Sequence, residues 1–235
     1  MNLIDLAVLL MFVLFILAGI YKGFISSMLS IAANVVCWAC GMIFMPIVSN
    51  IVTGNSKLFN MLLYYTEGSE YIGDVELAKT SIEAISQKDI ASIVKSSSLP
   101  FPFGKEIIAN VKNRAFAGSG AITLGDYYNQ TIVCVVINII SLFLIFFILR
   151  LLIGFLIEGV NYTLRFPELT QLNKTLSGAG GFINGVGILF VLFAVLPIML
   201  IVLNFPFIHD IVDNSLFAPI FYHASWLLSF IPGTC

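Results

Sequence analysis

Charged residues are scarce in this chain. Asp, Glu, Lys and Arg make up 10% of its 235 residues, whereas soluble domains carry about 25%. Together with a hydrophobic share of 59%, this scarcity excludes an ordinary soluble domain and predicts a polytopic membrane protein whose first partner is the lipid bilayer. The net charge of −2 and the lack of a basic tract argue against nucleic acid as a partner.

Cysteine and histidine are also rare, with four and two residues. Four scattered cysteines are too few for a disulfide framework. Cys37 and Cys40 form a C-x-x-C inside an apolar run and indicate buried thiols, while Cys134 and Cys235 are expected to be an apolar-helix residue and a tail residue. No histidine has a neighbouring ligand at metal-binding spacing, and no catalytic or nucleotide-binding motif occurs. We therefore expect no metal, no cofactor and no enzymatic activity.

Long apolar runs are abundant, and four of them are long enough to cross a membrane. They cover residues 3–20, 25–52, 131–157 and 178–203. Each contains at least about 18 residues, or roughly 27 Å of helix, which is close to the hydrocarbon thickness. Pro46 and Pro197 predict a helix end or a kink in the second and fourth runs. The fold class predicted is all-α, an integral membrane protein with four transmembrane helices.

Residues 54–128 differ from the rest because they hold most of the charge. Apolar residues at helical intervals predict a helix around 77–94 with Ser81 and Asp89 as caps, and a second amphipathic helix from Lys105 to Phe116. The Pro-rich loop 99–104 between them carries two aromatics that we expect to be exposed. This division predicts helices 1 and 2 in residues 1–53, a helical insert in 54–128, helices 3 and 4 in 129–204, and an interfacial tail in 205–235.

Four spans place both termini on one side of the membrane. Lys22, Arg165 and Lys174 lie in or beside the two short loops of the opposite side. Positive charges in short loops stay in the cytoplasm. We therefore predict that the short loops are cytoplasmic and that the termini and the 54–128 insert are extracytoplasmic.

Small residues form a ladder in the fourth run. Ser177, Gly181 and Gly185 are spaced four apart, so on a helix they form one stripe of nearly bare backbone. In lipid, such stripes let another helix approach closely, because packing rather than hydrophobicity drives association. The ladder predicts the packing centre of the membrane part.

A few polar residues lie inside the apolar runs. Asn34, Asn138 and Asn184 are expected to hydrogen-bond between helices. Arg150 is costly within a span, and two roles remain open for it: snorkelling or packing near the cytoplasmic surface, or transport or signalling. Asp5, at the start of the first run, is either an interfacial cap or a proton site.

Several of these residues occur in an order that is similar to a known family. Asp5 precedes a Gly19–Lys22–Gly23 connection, and Asn173 with Lys174 precedes the ladder. A looser match covers residues 215–221. The chain thus resembles the CvpA family, the bacterial colicin V production proteins. It departs from the family pattern at Ser177, where a glycine is usual, and in its long insert.

The resemblance implies a multi-pass protein of the bacterial cytoplasmic membrane, linked to toxin production or export and to envelope homeostasis. It implies no catalytic residues. The first function hypothesis is a non-enzymatic scaffold whose insert meets a protein partner. The second is a small channel or transporter with Arg150 lining the pathway, which would require a homo-oligomer because four spans are few for one chain.

Overall fold

A computed structural model describes residues 2–164, 174–203, 206–223 and 226–235. These residues are almost entirely helical. The helices are α1 (Leu3–Lys22), α2 (Phe24–Gly54), α3 (Ser56–Thr66), α4 (Val75–Lys79), α5 (Gln87–Ser96), α6 (Phe103–Asn113), α7 (Leu124–Leu164), α8 (Lys174–Phe193), α9 (Leu196–Ile198), α10 (Pro206–Asp213) and α11 (Ala218–His223). Shorter 3-10 turns cover Gly68–Ile72, Ala117–Ser119 and Trp226–Phe230, and a π-helical turn covers Met199–Leu203.

Four helical stretches of the described chain are long and apolar enough to cross a membrane. They are Leu3–Lys22, Phe24–Gly54, Leu124–Gly159 and Lys174–Val202. Helices α3 to α6 lie between the second and the third. The predicted all-α membrane fold with four spans and a helical insert is confirmed. The outer face of α1 exposes large apolar side chains such as Leu6, Leu10 and Leu17, which a bilayer would cover.

Two helices extend beyond their predicted limits. Helix α2 continues through Pro46 to Gly54, because a membrane helix can satisfy the freed carbonyl locally. Helix α7 starts at Leu124, seven residues before the predicted run. A reciprocal cap fixes this start: the Asp126 amide donates to Thr123 Oγ1 at 3.2 Å, and the Thr123 amide donates to Asp126 Oδ2 at 3.0 Å.

The insert differs from its prediction in detail. Ser81 caps no helix and instead pairs with Thr123 in an isolated antiparallel bridge. Ser86 is the cap of α5, since its Oγ accepts from the Asp89 amide at 3.2 Å. Of the two aromatics in the Pro-rich loop, Phe101 is exposed, but Phe103 is fully buried as the first residue of α6.

The described residues form two compact units. The first combines residues 2–44, 142–164, 174–196 and 206–223, and the second combines residues 45–141, 197–203 and 226–235. In the first unit, aromatic side chains of α1, α8 and α11 pack together. Phe12 lies 4.8 Å from Phe182, and the rings of Phe190 and Phe193 lie 5.1 and 5.3 Å from Phe221.

Helices α1 and α8 meet at their backbones. A Cβ atom added to Gly19 would lie 2.5 Å from the Ser177 carbonyl oxygen and 2.8 Å from Gly181 Cα. One added to Gly181 would overlap the carbonyl oxygen of Phe15, and one added to Gly185 would lie 3.1 Å from the Phe15 ring. The ladder of α8 therefore packs on α1 backbone against backbone at Ser177 and Gly181, and against the Phe15 side chain at Gly185.

The second unit buries the start of α7 against the insert and the end of the tail. Its largest fully buried side chains include Tyr127, Tyr128, Phe103 and Leu228. A disulfide joins Cys134 to Cys235, which are 101 residues apart in sequence. The expectation that these two cysteines stand separately is wrong, because a pairing over that distance leaves no trace in residue spacing. Cys37 is a buried free thiol, as expected, and Cys40 is a half-buried one.

The close approach of α1 and α8 generates a prediction for Gly181→Ala. The added methyl group meets backbone atoms, which cannot rotate away, so we expect a loss of about 1–3 kcal/mol in unfolding free energy. Gly159→Ala is the matched control, because a Cβ there meets nothing within 4 Å. Thermal unfolding in mild detergent measures both. If Gly181→Ala melts like Gly159→Ala, the ladder is not a packing face.

Candidate functional site

A chain of three polar side chains crosses the first unit between α2, α7 and α8. Arg150 Nε donates to Asn34 Oδ1 at 2.7 Å, and Asn34 Nδ2 donates to Asn184 Oδ1 at 2.8 Å. Asn34 and Asn184 are both buried, at 8% and 9% exposure. The two asparagines thus link helices, as the sequence predicts, and Arg150 joins them. We call these three residues the polar chain.

A cavity of about 130 Å³ lies beside the polar chain. Arg150 and Asn184 form part of its wall, and α1, α2 and Gly181 of α8 supply the rest. Its other lining residues are Phe15, Ala18, Gly19, Lys22, Ser27, Ser30 and Gly181. Gly19 and Gly181, which meet where α1 and α8 touch, also line this cavity.

Charge at this site is predominantly positive. Lys22 Nζ lies 2.9 Å from Glu158 Oε1, and both side chains are about half exposed or more. Lys22 is thus the ionic partner of Glu158, which lies too far along α7 to reach Arg150. Within the described part of the chain, no carboxylate lies within salt-bridge distance of Arg150. Among the described residues, therefore, no carboxylate compensates the guanidinium at the cavity wall.

Asp5 forms a second polar centre in the first unit. Its carboxylate is fully buried. Oδ1 accepts hydrogen bonds from Ser215 Oγ at 2.7 Å and from the amides of Leu216 and Phe217 at 2.9 and 3.2 Å, while Oδ2 accepts from the Asn2 amide at 3.0 Å. Asp5 is thus the helix cap that the sequence allows, completing a capping box with Asn2. It also fastens the tail to α1, which no sequence pattern indicated.

The remaining motif residues occupy helix ends. Gly23 ends α1 with a φ of 85°, a conformation that L side chains rarely adopt, and its amide donates to the Gly19 carbonyl at 3.0 Å. Lys174 starts α8 and is exposed. Asn173 and Arg165 lie outside the described residues.

Asn138 belongs to the second unit. Its Oδ1 accepts from Ser49 Oγ, and its Nδ2 donates to the carbonyls of Pro232 and Thr234, at 2.9 Å each. These contacts hold the tail beside the Cys134–Cys235 disulfide. The role of Asn138 is therefore to bind α2 and the tail to α7.

The insert carries an open cleft of about 490 Å³ in the second unit. Glu70, Asp74, Lys79 and Asp126 give its wall three carboxylates and one ammonium group. Next to it, burial raises the pKa of the Tyr71 phenol, and the Glu70 carboxylate raises it further. The cleft is thus a polar and mostly acidic surface of the insert. The described residues, those of the cleft included, hold no group of three or more His, Cys, Asp or Glu that could bind a metal.

Compared with known proteins, the chain matches no family model, no curated protein and no solved structure. The functional argument therefore depends on the geometry of the two units.

The buried carboxylate of Asp5 generates a prediction for Asp5→Asn. The asparagine amide keeps the shape of the carboxylate but has no charge. Its NH2 group would face hydrogen-bond donors, so we expect a loss of about 2 kcal/mol or more in unfolding free energy. Asp213→Asn is the control, because Asp213 is an exposed acid of the same tail. Thermal unfolding in detergent and the rate of proteolysis within 206–223 are the readouts. Equal behaviour of the two variants would show that the carboxylate does not hold the tail.

Proposed function

We propose that this chain is a non-enzymatic scaffold or accessory protein of the bacterial cytoplasmic membrane, of the CvpA type. Its role would lie in the production or secretion of a colicin V-like toxin or in envelope homeostasis. One observation carries the proposal: residues of three separate motifs pack on one another. Asp5 holds Ser215, and Gly19 contacts Ser177 and Gly181. These residues hold helices and tail together in one frame, which is the role that a scaffold requires of them.

The insert is the part of this frame that meets a partner. It is fastened to the tail, since Glu106 Oε2 accepts from the Gly233 amide at 3.0 Å and Asn110 Nδ2 donates to the Gly233 carbonyl at 2.8 Å. Asn110 also donates to Thr131 Oγ1 of α7 at 3.0 Å. An insert held at this many points keeps a fixed surface, and its acidic cleft is the surface we assign to the partner.

Two arguments support the proposed orientation, with termini and insert outside the cytoplasm. Lys22, Arg165 and Lys174 keep the short loops inside by their charge. The Cys134–Cys235 disulfide belongs to the same unit as the insert, and disulfides persist in oxidising compartments.

This orientation predicts the behaviour of C-terminal fusions expressed in bacteria. Alkaline phosphatase, which needs its own disulfides, should be active when fused after Cys235, and a fluorescent protein that folds only in the cytoplasm should be dark there. Fusions placed after Lys22, in the first short loop, should show the opposite pattern. A bright C-terminal fusion with an inactive phosphatase would reverse the topology.

The scaffold proposal predicts a protein partner that depends on the cleft. The full chain should recover a specific protein from bacterial membranes in mild detergent. The double variant Glu70→Lys, Val75→Lys changes two exposed cleft residues and should lose that partner by at least about tenfold, because reversed charge repels a surface selected for the acidic cleft. Lys88→Glu, an exposed change on α5, should keep it.

If the parent and the cleft variant recover the partner equally, the cleft is not part of the interface. Recovery of the chain alone, as a defined oligomer, would contradict the scaffold proposal and favour the second candidate. That candidate is a small oligomeric channel or transporter, and the cavity lined by Arg150 favours it. Liposome flux would then be measured for the parent and for Arg150→Ala, which a channel should not tolerate.

A further inference from the structure

We propose that the cavity between α1, α2, α7 and α8 binds one phosphate-type oxyanion. Its source is either the headgroup of an anionic membrane lipid or free inorganic phosphate. This inference stands apart from the scaffold proposal, because it concerns the cavity of the first unit and not the cleft of the insert.

The hydrogen-bond pattern of the polar chain makes the cavity wall a set of donors. Arginine has no acceptor atom, so Asn34 must turn its oxygen toward Arg150 and its amino group toward Asn184. Asn184 must then accept through its oxygen, which leaves its own Nδ2 as a donor at the cavity. The guanidinium of Arg150 thereby fixes the orientation of both asparagine amides. The group left unpaired at the far end of the polar chain is the Nδ2–H of Asn184.

The guanidinium has donors to spare. Asn34 takes only Nε, so the two terminal nitrogens of Arg150 keep four N–H groups. A planar fork of this kind matches the oxygens of a phosphate in a bidentate geometry. The hydroxyl of Ser30 lies in the same wall, and that of Ser27 already donates to the Gly23 carbonyl at 3.0 Å. The free groups are therefore suited to several oxygens of one anion.

The electrostatic balance favours an anion as well. A charge within a membrane span is costly unless it is paired, and no carboxylate of the described chain pairs with Arg150. Lys22 lines the cavity too, but Glu158 already neutralises it. The cavity wall, counted with that pair, carries one net positive charge, which a single bound anion would compensate.

The position in the span fits a headgroup. Arg150 lies eight residues from Glu158 on α7, which is two turns or about 12 Å. The half-exposed Lys22–Glu158 pair lies at the end of α1 and one residue before the end of the apolar span Leu124–Gly159. A cavity lined by Lys22 is therefore expected near the membrane surface, where the lipid phosphates lie. Its volume of about 130 Å³ exceeds the share of one water molecule, about 30 Å³, so it has room for a compact polyatomic anion.

The test uses the full chain in neutral detergent, with phosphatidylglycerol, diacylglycerol or inorganic phosphate as the added probe. Diacylglycerol has the tails without the phosphate. We expect phosphatidylglycerol or inorganic phosphate to raise the melting temperature in a concentration-dependent way, and diacylglycerol to have no effect. A response to phosphatidylglycerol alone, with one lipid retained in native mass spectra, identifies a headgroup site. A response to inorganic phosphate identifies a free-anion site.

Arg150→Gln should weaken the binding of whichever probe stabilises the parent by about tenfold or more, because charge-assisted hydrogen bonds are lost. Lys88→Gln, which removes an exposed charge far along the insert, should bind like the parent. If Arg150→Gln does not fold, Arg150→Lys keeps the charge without the planar fork and should still bind several-fold more weakly. The proposal is overturned if the parent responds to neither probe, or if every folded Arg150 variant responds as the parent does.

Discussion

The contact between the bare backbones of α1 and α8 is the constraint on which the first unit depends. In lipid, bringing apolar helices together releases no water, so association relies on close packing and on polar contacts. Gly19 and Gly181 allow the closest packing available, backbone against backbone. Gly19 and Gly181 also line the cavity beside Arg150. The small residues therefore take part in both the backbone contact and the cavity wall.

Hydrogen bonds between polar side chains add to the packing of α1 on α8. They differ between the start of α1 and the positions farther along the helices. At the start of α1, Asp5 collects donors from the tail, and the amides of Leu216 and Phe217 that would otherwise be unsatisfied are paired. Farther along, Asn34 accepts from Arg150 and donates to Asn184. The first centre is saturated with partners, whereas the second ends in free donors. Asp5 therefore serves to hold the fold together, whereas Arg150 and Asn184 keep donors for the ligand that we propose.

The sequence was sufficient to predict what depends on local pattern. Run length and composition predicted four spans, and spacing predicted that the ladder is a helix face. The partners of these features were not predictable: nothing in Gly181 indicates that it meets Phe15 and Gly19, and nothing in Asp5 indicates Ser215. The insert shows the same limit, since the sequence predicts Ser81 and Asp89 as caps, whereas Ser86 caps α5. Ser81 instead forms a bridge with Thr123, a contact between distant segments that local pattern does not indicate.

The hydrogen bond between Asp5 and Ser215 joins residues that are 210 positions apart. At ribosomal rates of about 5–20 residues per second, roughly ten to forty seconds separate the synthesis of the two. Throughout that interval the Asn2 amide is already available to Asp5, but its donors in the tail, Ser215, Leu216 and Phe217, have not been made. The Asp5 carboxylate therefore gains its full set of hydrogen bonds only when the tail packs against α1.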